Sequence, residues 1–322
     1  MEKEQSNVSK NQSEIKTLIH ESGRESDVKI GNKDKIGNGH FGGIYRVDVS
    51  LADEEGKLRE LREKFALKDF WPDKNESNSK PTERALLIHS ELKKAGVKTW
   101  TTYRRIKDES AILMTDGERD KTMLISTSDA SRSKNKLLNN PLNRIENYKS
   151  TLDSAIQDAL NAGAAGMAIP PDAWFANFKA LPERNKLFAK FRPKDNGAKL
   201  ISLFVGDFDR VVLKDNLSPE TLARREENIG VFYYERKKFR NLMCLKIFLD
   251  TLIDQTVQYP YRNTYQKIAT NKLGEQAEII AKKMDQKGAW KKFLSGRTHE
   301  KNRGIDEDNY PHQVFKEESE KK

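Results

Sequence analysis

Strand-type and helix-type patterning occupy different halves of this chain, and that segregation limits its fold more than any other feature. From Val28 to Thr115 apolar residues come in short alternating or continuous stretches bounded by glycines and polar turns. From Tyr148 through residue 295 helical spacing dominates. A period of two and a period of 3.6 do not substitute for each other, so the two blocks imply an α+β chain of two lobes. The 322 residues allow one large domain or two smaller ones. Charged residues make up 34% and hydrophobic ones 36%, with mean hydropathy −0.83. Such a chain still forms a core if its polar stretches are loops and tails.

The expected division is a polar, disordered tail over 1–25, a strand-rich lobe over 26–116, a helical lobe over 117–299 and a polar tail over 300–322. A short helix is expected around Ile15 to Ile19. Val28 to Val49 reads as strand, glycine turn, strand, and Lys64 to Phe70 as a further strand. Pro81 opens a helix that Gly96 stops. Strands follow near Lys98–Ile106 and Ser110–Thr115. Asp116 to Asn147 is Ser-, Lys- and Asn-rich and reads as an interlobe or lid segment. Tyr148 to Ala165 reads as a helix, Lys179 to Lys199 as a basic hairpin or insertion, and Leu200 to Val205 as a buried strand. A helix start is expected at Ser218. Helices then carry a stripe through Leu242, Leu245, Leu249 and Leu252, and the stretch from Thr264 to Gln286.

Several classes are excluded. The best apolar run, Leu242 to Leu252, is broken by Lys246 and Asp250 and is shorter than the roughly 20 residues of a membrane helix. Met1 to Lys10 has no apolar signal region. One cysteine, Cys244, gives no internal disulfide framework and no cysteine zinc cluster, and a reducing, cytoplasmic setting is expected. The 59 Lys and Arg against 49 Asp and Glu leave a net charge of +10, which favours anionic partners without choosing among them. The basic run Arg236 to Arg240 reads as a solvated helix face.

Five short motifs carry chemistry. Gly37-Asn38-Gly39-His40-Phe41-Gly42-Gly43-Ile44-Tyr45 places glycines on a turn between strands, where a backbone without Cβ atoms can approach a polyphosphate. A strand follows the turn, which argues against a dinucleotide-binding glycine turn and leaves an ordinary hairpin open. Phe65-Ala66-Leu67-Lys68 ends an apolar strand on a lysine. Glu83 lies early on the Pro81 helix, with Glu91 as the competing carboxylate. Asp172 and Asn177 have the spacing Asp-x4-Asn after Ile169-Pro170-Pro171. Val205-Gly206-Asp207-Phe208-Asp209 puts an aspartate just past a strand.

In this order, over about Val28 to Asp209, the motifs resemble those of the protein-kinase-like superfamily. The resemblance implies a bilobal fold, with a small β-rich lobe carrying one helix and a larger helical lobe, that binds ATP and Mg²⁺ between the lobes. It implies that Gly37, Gly39, Phe41 and Gly42 cover the phosphates, that Lys68 holds them and that Glu83 holds Lys68. Met114 and Asp116 fall where the family places its adenine-binding hinge. Asn177 and Asp207 would carry Mg²⁺, and Asp172 would position and deprotonate the acceptor hydroxyl. Pro170-Pro171 stands where the family has His-Arg, Asp209 stands in place of a glycine, and no Ala-Pro-Glu follows. The expected function is ATP- and Mg-dependent phosphoryl transfer to a hydroxyl of a protein or small molecule. The alternative is a pseudokinase, a nucleotide-binding or scaffolding protein without catalysis. A basic nucleic-acid-binding protein would share the charge, but the chain has no recognisable nucleic-acid module, and nucleic acid is not an expected partner.

Overall fold

The structure is a computed structural model, and it describes residues 15–20, 25–38, 42–53, 55–62, 65–71, 79–100, 103–107, 109–116, 122–126, 141–181, 196–213 and 232–300. The expected helix start at Ser218 lies outside them. The chain divides into two compact units, residues 1–90 with 100–119, and residues 91–99 with 120–322.

The first unit is built on β1 (Ile15–Ile19), β2 (Glu25–Asn38), β3 (Gly42–Ala52), β4 (Leu58–Glu60), β5 (Phe65–Phe70), β6 (Tyr103–Ile106) and β7 (Ala111–Thr115). Six of these form a ring in the order β2-β1-β6-β7-β5-β3, and β3 pairs back onto β2. Every pairing in the ring is antiparallel. The short β4 adds to β3 outside the ring. The result is a closed six-stranded barrel. It overturns the expected bilobal, protein-kinase-like fold with its β-sheet lobe.

The strand that closes the ring is the segment expected to be tail or short helix. Ile15, Leu18 and Ile19 fit a helical face as well as a strand. Here the backbone of β1 satisfies two strand edges at once, five residue pairs with β2 and two with β6. Inside the barrel Leu18, Val28, Val47, Val49, Leu67 and Leu113 belong to one buried cluster. A ring this small has room for side chains alone. Alternation then puts Ala66, Lys68 and Phe70 on the outer face of β5.

Helix α1 (Ser79–Lys94) buries Thr82, Ala85, Ile88, His89 and Leu92. His89 packs on Tyr103, with ring centroids 5.1 Å apart, and bonds the Trp100 carbonyl at 3.2 Å. Gly96, at φ +74°, ends the helix as its sequence requires.

The second unit holds β8 (Thr122–Ser126), β9 (Arg144–Glu146), β10 (Trp174–Ala180) and β11 (Gly197–Val205) in one sheet of order β8-β10-β11-β9. Two strands, β8 and β9, thus lie in the stretch expected to be an interlobe or lid segment. Its helices are α2 (Tyr148–Ala164), α3 (Tyr233–Thr256), α4 (Tyr259–Lys283) and α5 (Ala289–Glu300). The stripe Leu242, Leu245, Leu249 and Leu252 is buried, and so is Cys244, the chain's one cysteine. Where α2 crosses α3, a Cβ on Gly163 would stand 2.5 Å from the Lys238 nitrogen, so only glycine fits. Among the described residues no helix is long and apolar enough to cross a membrane.

Candidate functional site

Cross-strand register gathers several motif residues on one patch of the barrel. Gly37 opposes Ile44, Ile44 opposes Lys68, and Lys68 opposes Ile112. In the neighbouring row Arg46 opposes Ala66, and Ala66 opposes Met114. Opposed residues share a face, so Gly37, Lys68, Ala66 and Met114 lie together on the outside of the ring. Lys68 is only 5% exposed, and its ammonium stands 5.2 Å from the centroid of the Phe70 ring. Asp116, buried at the end of the same strand as Met114, accepts a 2.6 Å bond from Arg46 Nε.

The glycines divide by cause. Among the described residues a Cβ on Gly37 would meet nothing within 4 Å, so close packing does not demand this glycine. A Cβ on Gly42 would fall 2.1 Å from the Asp69 carbonyl oxygen. Gly42 is therefore demanded by the approach of β3 to β5, whatever binds nearby. Gly39 and Phe41 lie outside the described residues.

Glu83 does not hold Lys68. Its side chain is 59% exposed and accepts a 3.2 Å bond from Arg105 Nη1. The reason is the helix face. The buried stripe of α1 runs through Thr82, Ala85, Ile88, His89 and Leu92, which leaves Glu83 and Leu87 together on the outside, Leu87 being 52% exposed. Glu91 pairs with Lys94 in its own turn at 2.7 Å.

In the second unit the loop after α2 is fixed from α3. Asn241, fully buried, accepts the Ile169 N–H at 2.9 Å and donates to the Ala159 and Met167 carbonyls, each at 3.1 Å. Pro170 and Pro171 then lead into a 3-10 turn over Pro171–Ala173 that contains Asp172. The Ala173 carbonyl accepts the N–H groups of Gly206, at 2.9 Å, and Asp207, at 3.3 Å. Asp207 precedes a second 3-10 turn, Phe208–Arg210, and Arg210 Nε lies 3.3 Å from Asp172 Oδ2. Asp172, Asp207 and Arg210 therefore meet at one end of the β10–β11 hairpin.

Asn177 stands apart from that end. It opposes Ser202 and Leu124 at a register shift, three residues into β10, which is roughly 10 Å along a strand. Among the described residues no group of three or more His, Cys, Asp or Glu could hold a metal. The oxygen donors at the Asp172–Asp207 end are carboxylates alone, a type that suits a hard cation such as Mg²⁺, which takes one or two carboxylates beside water. Arg210 and Asn241 were not among the residues expected from sequence. Asn241 had a signal, a lone amide flanking the apolar stripe of α3.

No protein-family model matches the chain, and no curated protein matches it.

Proposed function

We propose that the chain is an Mg·ATP-dependent phosphotransferase with a hydroxyl acceptor, of a protein or a small molecule. The observation that carries this reading is the fastening of Asp207 to Ala173, next to Asp172. Phosphoryl transfer needs a group that positions and deprotonates the hydroxyl, and a carboxylate that keeps a metal on the phosphates. Asp172 is assigned the first role and Asp207 the second, while Asn177, roughly 10 Å along β10, is too far away to join them. The reading rests on these residues and draws nothing from a kinase-like fold. A reducing, cytoplasmic setting goes with it.

A second reading, nucleotide binding without catalysis, is favoured by two contacts. Arg210 engages the Asp172 carboxylate, and Arg105 rather than Lys68 takes Glu83. The test is incubation of the chain with Mg²⁺ and γ-labelled ATP, alone and with a pool of metabolites and proteins. Label on an acceptor, lost in Asp172→Asn, supports phosphoryl transfer. ATP binding with no transfer supports the second reading, and no ATP binding rejects both.

A further inference from the structure

Asp158 sits within α2 and is 6% exposed, a costly position for a carboxylate. It accepts the backbone N–H of Lys98, while its Oδ2 is buried without a hydrogen-bond partner among the described residues. Lys98 belongs to the short link that leaves α1 after Gly96. The Lys98 carbonyl accepts the N–H of Val205, the last residue of β11, at 3.0 Å. The next two N–H groups, those of Gly206 and Asp207, are the ones bonded to Ala173. A run of bonds thus leads from α2, through the N–H and C=O of Lys98 on either side of its Cα, to the end of β11 and Asp207. An apolar residue at position 158 would pack without the desolvation cost, so the carboxylate is explained by what it holds.

We propose that Asp158 is a positioning residue for Asp207, fixing the Lys98 backbone and through it the end of β11 from which Asp207 offers its carboxylate to a metal. The metal part rests on the phosphotransferase reading; the tie itself does not. The α1 link then becomes a control point, since any shift of Lys98 is passed to Asp207.

The experiment is amide hydrogen exchange on the full chain, with calorimetry of ATP binding over a range of Mg²⁺ concentrations. In the unmutated protein the amides of Lys98, Val205, Gly206 and Asp207 exchange together. Asp158→Leu speeds exchange at Val205, Gly206 and Asp207 by about tenfold or more. It also raises the Mg²⁺ concentration needed for tight ATP binding several-fold, and leaves metal-free ATP binding unchanged. Asp158→Asn keeps an acceptor oxygen and stays close to the unmutated protein in both. Unequal exchange of the four amides in the unmutated chain overturns the tie, even if Asp158→Leu fails to fold. So does an Asp158→Leu that melts earlier with the Val205–Asp207 amides unmoved. If the unmutated chain binds no ATP, the phosphotransferase reading fails and the exchange data alone decide the tie.

Discussion

Burial raises the Asp158 carboxyl from 3.8 to about 6, with the N–H and charge of Lys98 pulling the other way. The folded chain therefore favours the neutral acid. Its contribution to stability is complete below about pH 4 and is lost as pH rises through about 6. Asp158→Asn is neutral at every pH. The two proteins should be about equally stable near pH 4, and the asparagine variant more stable by up to about 3 kcal/mol near pH 7.5. Urea melts at both pH values check this, and parallel curves would contradict it. Asn241 works in the opposite sense, because all its bonds are made. Asn241→Leu leaves one N–H and two carbonyls without their partner and should cost about 2–4 kcal/mol. Asn241→Asp keeps the acceptor but turns a second acceptor, charged and buried, toward both carbonyls, so at neutral pH it should cost at least as much, as equilibrium denaturation would show.

Closure of the barrel depends on one short element. Of β1 only Leu18 is buried, and the strand meets β6 through two residue pairs and the bond from the Lys107 N–H to the Thr17 carbonyl, 2.7 Å. Leu18→Asp replaces about 1.5–3 kcal/mol of apolar burial with a buried charge. The ring should open at β1–β6, and the Lys107 amide should exchange at a nearly unprotected rate; a protected Lys107 in that variant would show that backbone pairing alone holds the strand. The same element shows where sequence reading stops. The glycine hairpin, the Lys68 strand, α1 with its Gly96 stop, α2 and the Leu242 stripe were legible, because each carries its own period and punctuation. The role of β1 was not, since five residues with one buried side chain follow no period, and their partners lie far along the chain. Pairs of strands as short as β8 and β9, set among Ser, Lys and Asn, were hidden for the same reason. Glu83 failed differently. It shares the face of Leu87, one turn on, and helical spacing alone does not say which face of a helix is buried.

For the whole molecule, the proposed chemistry separates into steps that different residues govern. Asp172→Asn removes a proton acceptor and nothing assigned to nucleotide binding, so Mg·ATP affinity should hold while single-turnover transfer falls about 10²–10⁴-fold. Asp207→Asn weakens the metal ligand, so ATP binding should need more Mg²⁺, with transfer falling as a consequence. Lys68→Met keeps most of the buried stem beside Phe70 but removes the charge, so the barrel should stay folded and its melting should move little. Circular dichroism, calorimetry with and without Mg²⁺, and single-turnover transfer, applied to all three variants, read the three effects separately. The pattern is the test, because a merely structural role for any of these residues would move stability first. Arg210 supplies the remaining discrimination. If its contact with Asp172 blocks catalysis, Arg210→Ala should raise transfer. If the contact orients the aspartate for the acceptor, the same variant should lower transfer and leave Mg·ATP affinity untouched.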